Sequence, residues 1–242
     1  MDHTKLIQII NTSEQEFNNT ELLNSSSSKV TFINPFGYHL YRRNKELYES
    51  FDAIYVDGML MCKFINILYG LSITRRSFDY TSIAKQLFSI AQENGKSLYL
   101  IGASDMEIRQ TISMIKKDYP KLNLLGFRNG FFSNNDERSD TLEAIKNMNP
   151  DFVIVGMGAV LQEKFIIDLH DVGYSGKSFS CGGYLRQAST GLDYYPKWID
   201  KYNLRAFYRL FKEKGMFSRL YNILLEFPIL FIYDKLTKSD IS

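Results

Sequence analysis

From Lys29 onward, short apolar runs alternate with longer segments whose apolar positions recur every three or four residues. Runs at 30–34, 53–56, 97–101, 122–127 and 151–156 predict strands. Helical spacing covers 40–50, 59–69, 80–94, 104–118, 137–148 and 160–172. This alternation predicts an α/β fold, a Rossmann-like and mostly parallel sheet of about six strands with flanking helices. Residues 11–28 are rich in Asn, Ser, Thr and Glu and end in Ser25-Ser26-Ser27-Ser28, the composition of a solvated connection. The expected organisation is a partly flexible N-terminal segment (1–28), an α/β core (29–195) and a helical C-terminal appendage (196–242).

Four strand ends carry residues suited to a strand-to-helix turn: Asn34-Pro35, Asp57-Gly58, Gly102-Ala103 and Gly156-Met157-Gly158. In an open parallel sheet the ligand crevice lies beyond the carboxyl ends of the strands, so all four are expected on one side of the molecule. Gly102, Ala103, Gly156 and Gly158 suit either a phosphate cradle of free backbone N–H groups or simple tight turns. The three-glycine dinucleotide fingerprint is missing, which weighs against an NAD-dependent oxidoreductase. Asp57 suits a general base at the crevice or an N-cap for the next helix. Gln162 offers neutral hydrogen bonds to a sugar or a base edge, whereas Glu163 suits a structural place at a helix start. Arg75 and Arg76 are candidates to neutralise a diphosphate, and Arg76 is the better match by spacing.

Composition narrows this picture. The chain of 242 residues is 45% hydrophobic and 23% charged, with a formal net charge of +2, which suits a folded domain with a substantial core. Cys62 and Cys181 stand far apart, so no disulfide framework is expected. With His3, His39 and His170 they form no metal-ligand pattern. No Asp-x-Asp occurs, so neither a metal nor another cofactor is expected. Charge is concentrated in 197–219, which hold seven basic residues against two acidic ones. Lys197, Lys201, Arg205, Arg209 and Lys212 would share an arc of roughly 120° on a helix. The apolar stretch 220–233, interrupted by Pro228, follows. A basic segment followed by a short apolar one suits a lipid headgroup surface. Interleaved aromatic residues also suit RNA, but the apolar sequel weighs for lipid, and no nucleic-acid partner is expected. The N-terminus lacks signal-peptide features and no window is long enough to span a bilayer. A cytoplasmic protein on the inner face of the membrane is expected.

Several motifs together resemble one family. They are Ile33-Asn34-Pro35, Val56-Asp57-Gly58, Gly70 followed by Arg75-Arg76, Leu100-Ile101-Gly102-Ala103, and Gly130-Phe131-Phe132. The segment 150–158 ending in Gln162-Glu163-Lys164-Phe165-Ile166 and the segment 204–210 complete the set. In order and spacing they are similar to the bacterial WecG/TagA/CpsF glycosyltransferases over about 29–221. The resemblance implies inverting transfer from a UDP-sugar to an undecaprenyl-diphosphate-linked sugar in cell-surface polysaccharide synthesis. It also implies Asp57 as the base, with Asn34, Arg76 and Gln162 lining the site. The appendage arginines Arg205 and Arg209 would close over it and meet the membrane. Ala159-Val160-Leu161 departs from the usual Pro-Lys, Phe32-Ile33 from a threonine, and Arg205-Ala206-Phe207 from Glu-Trp. These changes leave the donor open among N-acetylmannosamine, its uronate and glucose. They also leave room for a catalytically silent scaffold. A site completed by its appendage is compatible with a homo-oligomer.

Overall fold

The computed structural model describes residues 3–19, 25–193 and 220–237. Six parallel strands form one sheet in the order β2-β1-β6-β5-β3-β4. They are β1 (Lys29–Ile33), β2 (Ala53–Val56), β3 (Ser97–Gly102), β4 (Asn123–Arg128), β5 (Phe152–Gly156) and β6 (Lys177–Ser180). Every ladder is parallel, so all six carboxyl ends lie along one edge. β2, β3 and β5 are buried throughout, which explains their unbroken apolar character. Alternate residues serve two cores: Val153 and Val155 face one, Phe152 and Ile154 the other.

Helices cover both faces: α1 (His3–Asn19), α2 (Tyr38–Arg43), α3 (Lys45–Glu49), α4 (Met59–Tyr69), α5 (Ile83–Glu93), α6 (Asp105–Asp118), α7 (Asn135–Met148), α8 (Leu161–Asp171) and α9 (Tyr184–Ala188). Two expectations need correction. The helix expected over 40–50 is broken at Asn44 (φ −132°), whose side chain donates to the Leu40 carbonyl at 2.9 Å. The connection expected over 11–28 is helical as far as Asn19, because Leu6, Ile7, Ile10, Ser13 and Glu14 form a buried stripe against β2. β6 reads Lys-Ser-Phe-Ser and has no apolar period to reveal it, yet it lies in the middle of the sheet. Its buried Ser178 and Ser180 are satisfied by His170 and Thr31.

A π turn at Asn222–Glu226 leads into α10 (Phe227–Leu236). The ring of Pro228 crowds the preceding turn, and the wider spacing relieves it: the Phe227 N–H donates to Asn222, five residues back. Phe227 and Phe231 are buried against Tyr38 and Phe64, with ring centroids 5.3–6.1 Å apart. Asp234 accepts from Tyr38 at 2.7 Å and from Arg42 at 2.8 Å. The apolar segment read as suiting a lipid surface therefore turns one face into the core.

Candidate active site

The turns after β1 and β2 touch. Asp57 extends the ladder, its N–H donating to Ile33 at 2.8 Å. Gly58 follows at φ +147°, and a Cβ there would lie 2.9 Å from the Pro35 ring, so a side chain is excluded on both counts. Asn34 shapes the first turn by accepting the Gly37 N–H at 2.7 Å. Gly58, not Asp57, occupies the N-cap of α4. Of the two roles open to Asp57, the helix cap is therefore taken by another residue. Its carboxylate is 37% exposed and pairs with Arg75 at 3.1 Å.

The loop between α4 and α5 delivers that arginine. Gly70 closes α4 in the left-handed conformation, and the Asn66 side chain bonds both backbone groups of Ile73, at 2.7 and 3.0 Å. The Arg76 N–H then donates to Val56 at 2.9 Å, laying the loop beside the end of β2. Arg75 reaches Asp57, Ser77 at 2.6 Å and Asp79 at 3.0 Å. Arg76 turns the other way, to Glu14 at 2.8 and 2.9 Å and to Asn18 at 2.8 Å on α1. Burial acts to raise the Glu14 pKa, but bonds from Arg76 and Thr74 overcome it and hold the carboxyl below its ordinary value. Burial, helped by the charge of Asp57, pushes the nearby Cys62 thiol up to about 12, so it stays protonated.

The Gly102-Ala103 turn differs from the cradle it suggested. The Ala103 N–H donates to Gly156 at 3.1 Å, and the Ser104 N–H donates to Glu107 at 2.8 Å within a capping box. The donors counted as free are taken, and two carboxylates in the first turn of α6, Asp105 and Glu107, disfavour an anion there. Gly102 is required by packing, since a Cβ would meet the Gly156 carbonyl oxygen at 2.3 Å. Gly156 likewise faces the Cys181 sulfur. Gly158, at φ +83°, faces open space.

Gln162 and Glu163 are both buried. The Gly182 N–H donates to Gln162 Oε1 at 3.0 Å, which fixes the amide so that Nε2 donates to Glu163 at 2.8 Å. Glu163 also accepts from Thr31 at 2.9 Å and from the Val160 N–H at 2.6 Å. Burial raises its pKa against the pull of these bonds. The pair ties β1 and the turn after β6 to the entry of α8.

The family model described as "Glycosyl transferase WecG/TagA/CpsF family" matches residues 6–241. The chain belongs to this family. A relative from Shigella boydii, UDP-Gal:alpha-D-GlcNAc-diphosphoundecaprenol beta-1,4-galactosyltransferase, is 34% identical over 86% of this chain and 87% of its own length. An N-acetylglucosaminyldiphosphoundecaprenol N-acetyl-beta-D-mannosaminyltransferase from Bacillus subtilis is 29% identical over 58% of this chain and 54% of its own. A protein of the same name from Bacillus spizizenii is 25% identical over 75% of this chain and 68% of its own.

Within the family fold, Asn34, Asp57, Gly102, Ala103, Gly156 and Gly158 all lie at the carboxyl edge. From β2 to β5 is three strand spacings, roughly 14 Å, the scale of an extended ligand rather than of one sugar ring. Arg205 and Arg209 lie outside the described residues. Among the described residues no cluster of His, Cys, Asp or Glu suits a metal, and no helix is long and apolar enough to cross a membrane. Spacing alone missed Arg75, Ser77 and Asp79 as the setting of Asp57. The Ser104-x-x-Glu107 spelling was the available sign that the Ala103 turn is capped from within.

Proposed function

We propose that this protein transfers a sugar, with inversion, from a UDP-sugar to a saccharide carried on undecaprenyl diphosphate, with Asp57 as the general base. The observation that carries the reading is a strand-end carboxylate, free of the helix cap and tethered by one arginine at the carboxyl edge. Asp57 takes the proton of the acceptor hydroxyl as its oxygen bonds to the anomeric carbon. The bond from that carbon to the donor's diphosphate breaks, and UDP leaves with the electron pair. Arg75 offers its guanidinium to the departing charge, which removes the need for a divalent ion. Asn34 and the Gly156–Gly158 turn shape the crevice, and Gln162 holds the turn after β6. The relatives' names make galactose and N-acetylmannosamine the first donors to test beside glucose. Peripheral membrane association, through the exposed face of α10 and the basic segment 197–219, brings the site to its lipid acceptor.

The test is UDP release from a panel of UDP-sugars, with and without N-acetylglucosaminyl diphospholipid, in EDTA. Acceptor-dependent release with one donor supports the reading and names the sugar. Release that appears only after a divalent ion is restored removes metal independence. Silence with every donor, while UDP still binds, points to a catalytically silent family member.

A further inference from the structure

We propose that Glu14 is a positioning residue for the reaction, making the N-terminal helix a working part of the active site. This rests on the roles given above to Asp57 and Arg75. Glu14 is 5% exposed and grips the residues on either side of Arg75. Its Oε1 accepts from Thr74 at 2.6 Å and from Arg76 at 2.8 Å, and its Oε2 accepts from Arg76 at 2.9 Å. The Arg76 guanidinium also lies 3.7 Å over the Phe17 ring, a second hold from the same helix. With Thr74 and Arg76 both bonded to Glu14, the intervening Arg75 is left to pair with Asp57. The neighbouring residue Ser13 accepts the Ile54 N–H at 3.0 Å, fastening α1 to β2, the strand that leads into Asp57. Two successive residues of one helix thus tie down both members of the Asp57–Arg75 pair.

The experiment measures acceptor-dependent UDP release, donor KM and thermal midpoint for six variants: Glu14→Gln, Arg76→Gln, Thr74→Val, the swap Glu14→Arg with Arg76→Glu, Arg75→Gln, and Arg75→Gln combined with Glu14→Gln. Glu14→Gln and Arg76→Gln are expected to lower kcat/KM about tenfold or more, because small displacements at a reacting centre are costly in rate. Thr74→Val, which removes one bond and keeps the shape, gives a smaller loss in a stably folded protein. The swap restores the ion pair and recovers kcat/KM to within about threefold of the parent, since the effect passes through the pair. In an Arg75→Gln background, Glu14→Gln should add no further loss. Single variants with a lowered midpoint but an unchanged rate would overturn the inference and leave the clamp purely structural. A folded swap variant as slow as Arg76→Gln would also overturn it, by showing that the Arg76 cation itself meets the donor. Full activity in Arg75→Gln would instead sink the underlying role of Arg75, a result separable from the other two.

Discussion

Glu16 on α1 accepts four hydrogen bonds: from the hydroxyls of Ser25, Ser26 and Ser27 at 2.7–3.0 Å, and from the Ser26 N–H at 2.7 Å. Burial works to raise its pKa, but these bonds outweigh it and hold the carboxyl down at about 2. A folded pKa below the unfolded one means that the unfolded chain binds the proton more readily. The stabilisation is therefore present above the ordinary value of 4.5 and is lost as pH falls towards 2. The carboxylate is partly exposed, so solvent screening limits the effect to about 1 kcal/mol. Glu16→Gln should lower stability at pH 7 by that order and flatten its dependence between pH 5 and pH 3, as followed by urea denaturation. An unchanged pH profile would show that the serine cradle contributes nothing.

At the scale of elements, the entry to α8 holds the clearest strain. Val160 sits at φ +73°, where a β-branched residue is costly, and its N–H is pinned by Glu163. Val160→Gly should raise unfolding free energy by about 1 kcal/mol, the relieved strain exceeding the added chain entropy. A drop in thermal midpoint would show that the Val160 side chain has a packing role instead. Long apolar strands such as β3 and β5, and amphipathic helices such as α4 and α8, were legible in the sequence because burial and periodicity coincide there. β6 was not, because its serines are made compatible with a central position by Thr31 on another strand and His170 on α8. The serine run was not, because its partner Glu16 lies on another element. Asp57 was legible as a strand-end carboxylate. The choice between Arg75 and Arg76 was not, since it depends on how the loop after α4 lies between β2 and α1.

For the whole molecule, the C-terminal helix links the core to its surroundings. Leu225, Ile229, Ile232 and Leu236 recur at helical spacing and are 40–66% exposed. At 100° per residue they lie opposite the buried Phe227, Phe231 and Asp234. Truncation after Pro196 would remove both faces at once, so substitutions separate their roles. Leu225→Gln, Ile229→Gln and Leu236→Gln together should weaken binding to anionic vesicles at least several-fold while leaving the thermal midpoint in place. Undiminished vesicle binding would exclude this stripe as the lipid contact. Phe227→Ala, by contrast, should cost about 3–5 kcal/mol of stability, as large-to-small core substitutions of phenylalanine do.

The most direct measurement compares Asp57→Asn with the parent protein in acceptor-dependent UDP release, with UDP affinity measured on both. Loss of a general base predicts a fall in kcat of about a hundredfold or more, with folding intact and UDP affinity little changed. Turnover by Asp57→Asn at the parent rate would contradict the assignment of Asp57 and the mechanism built on it.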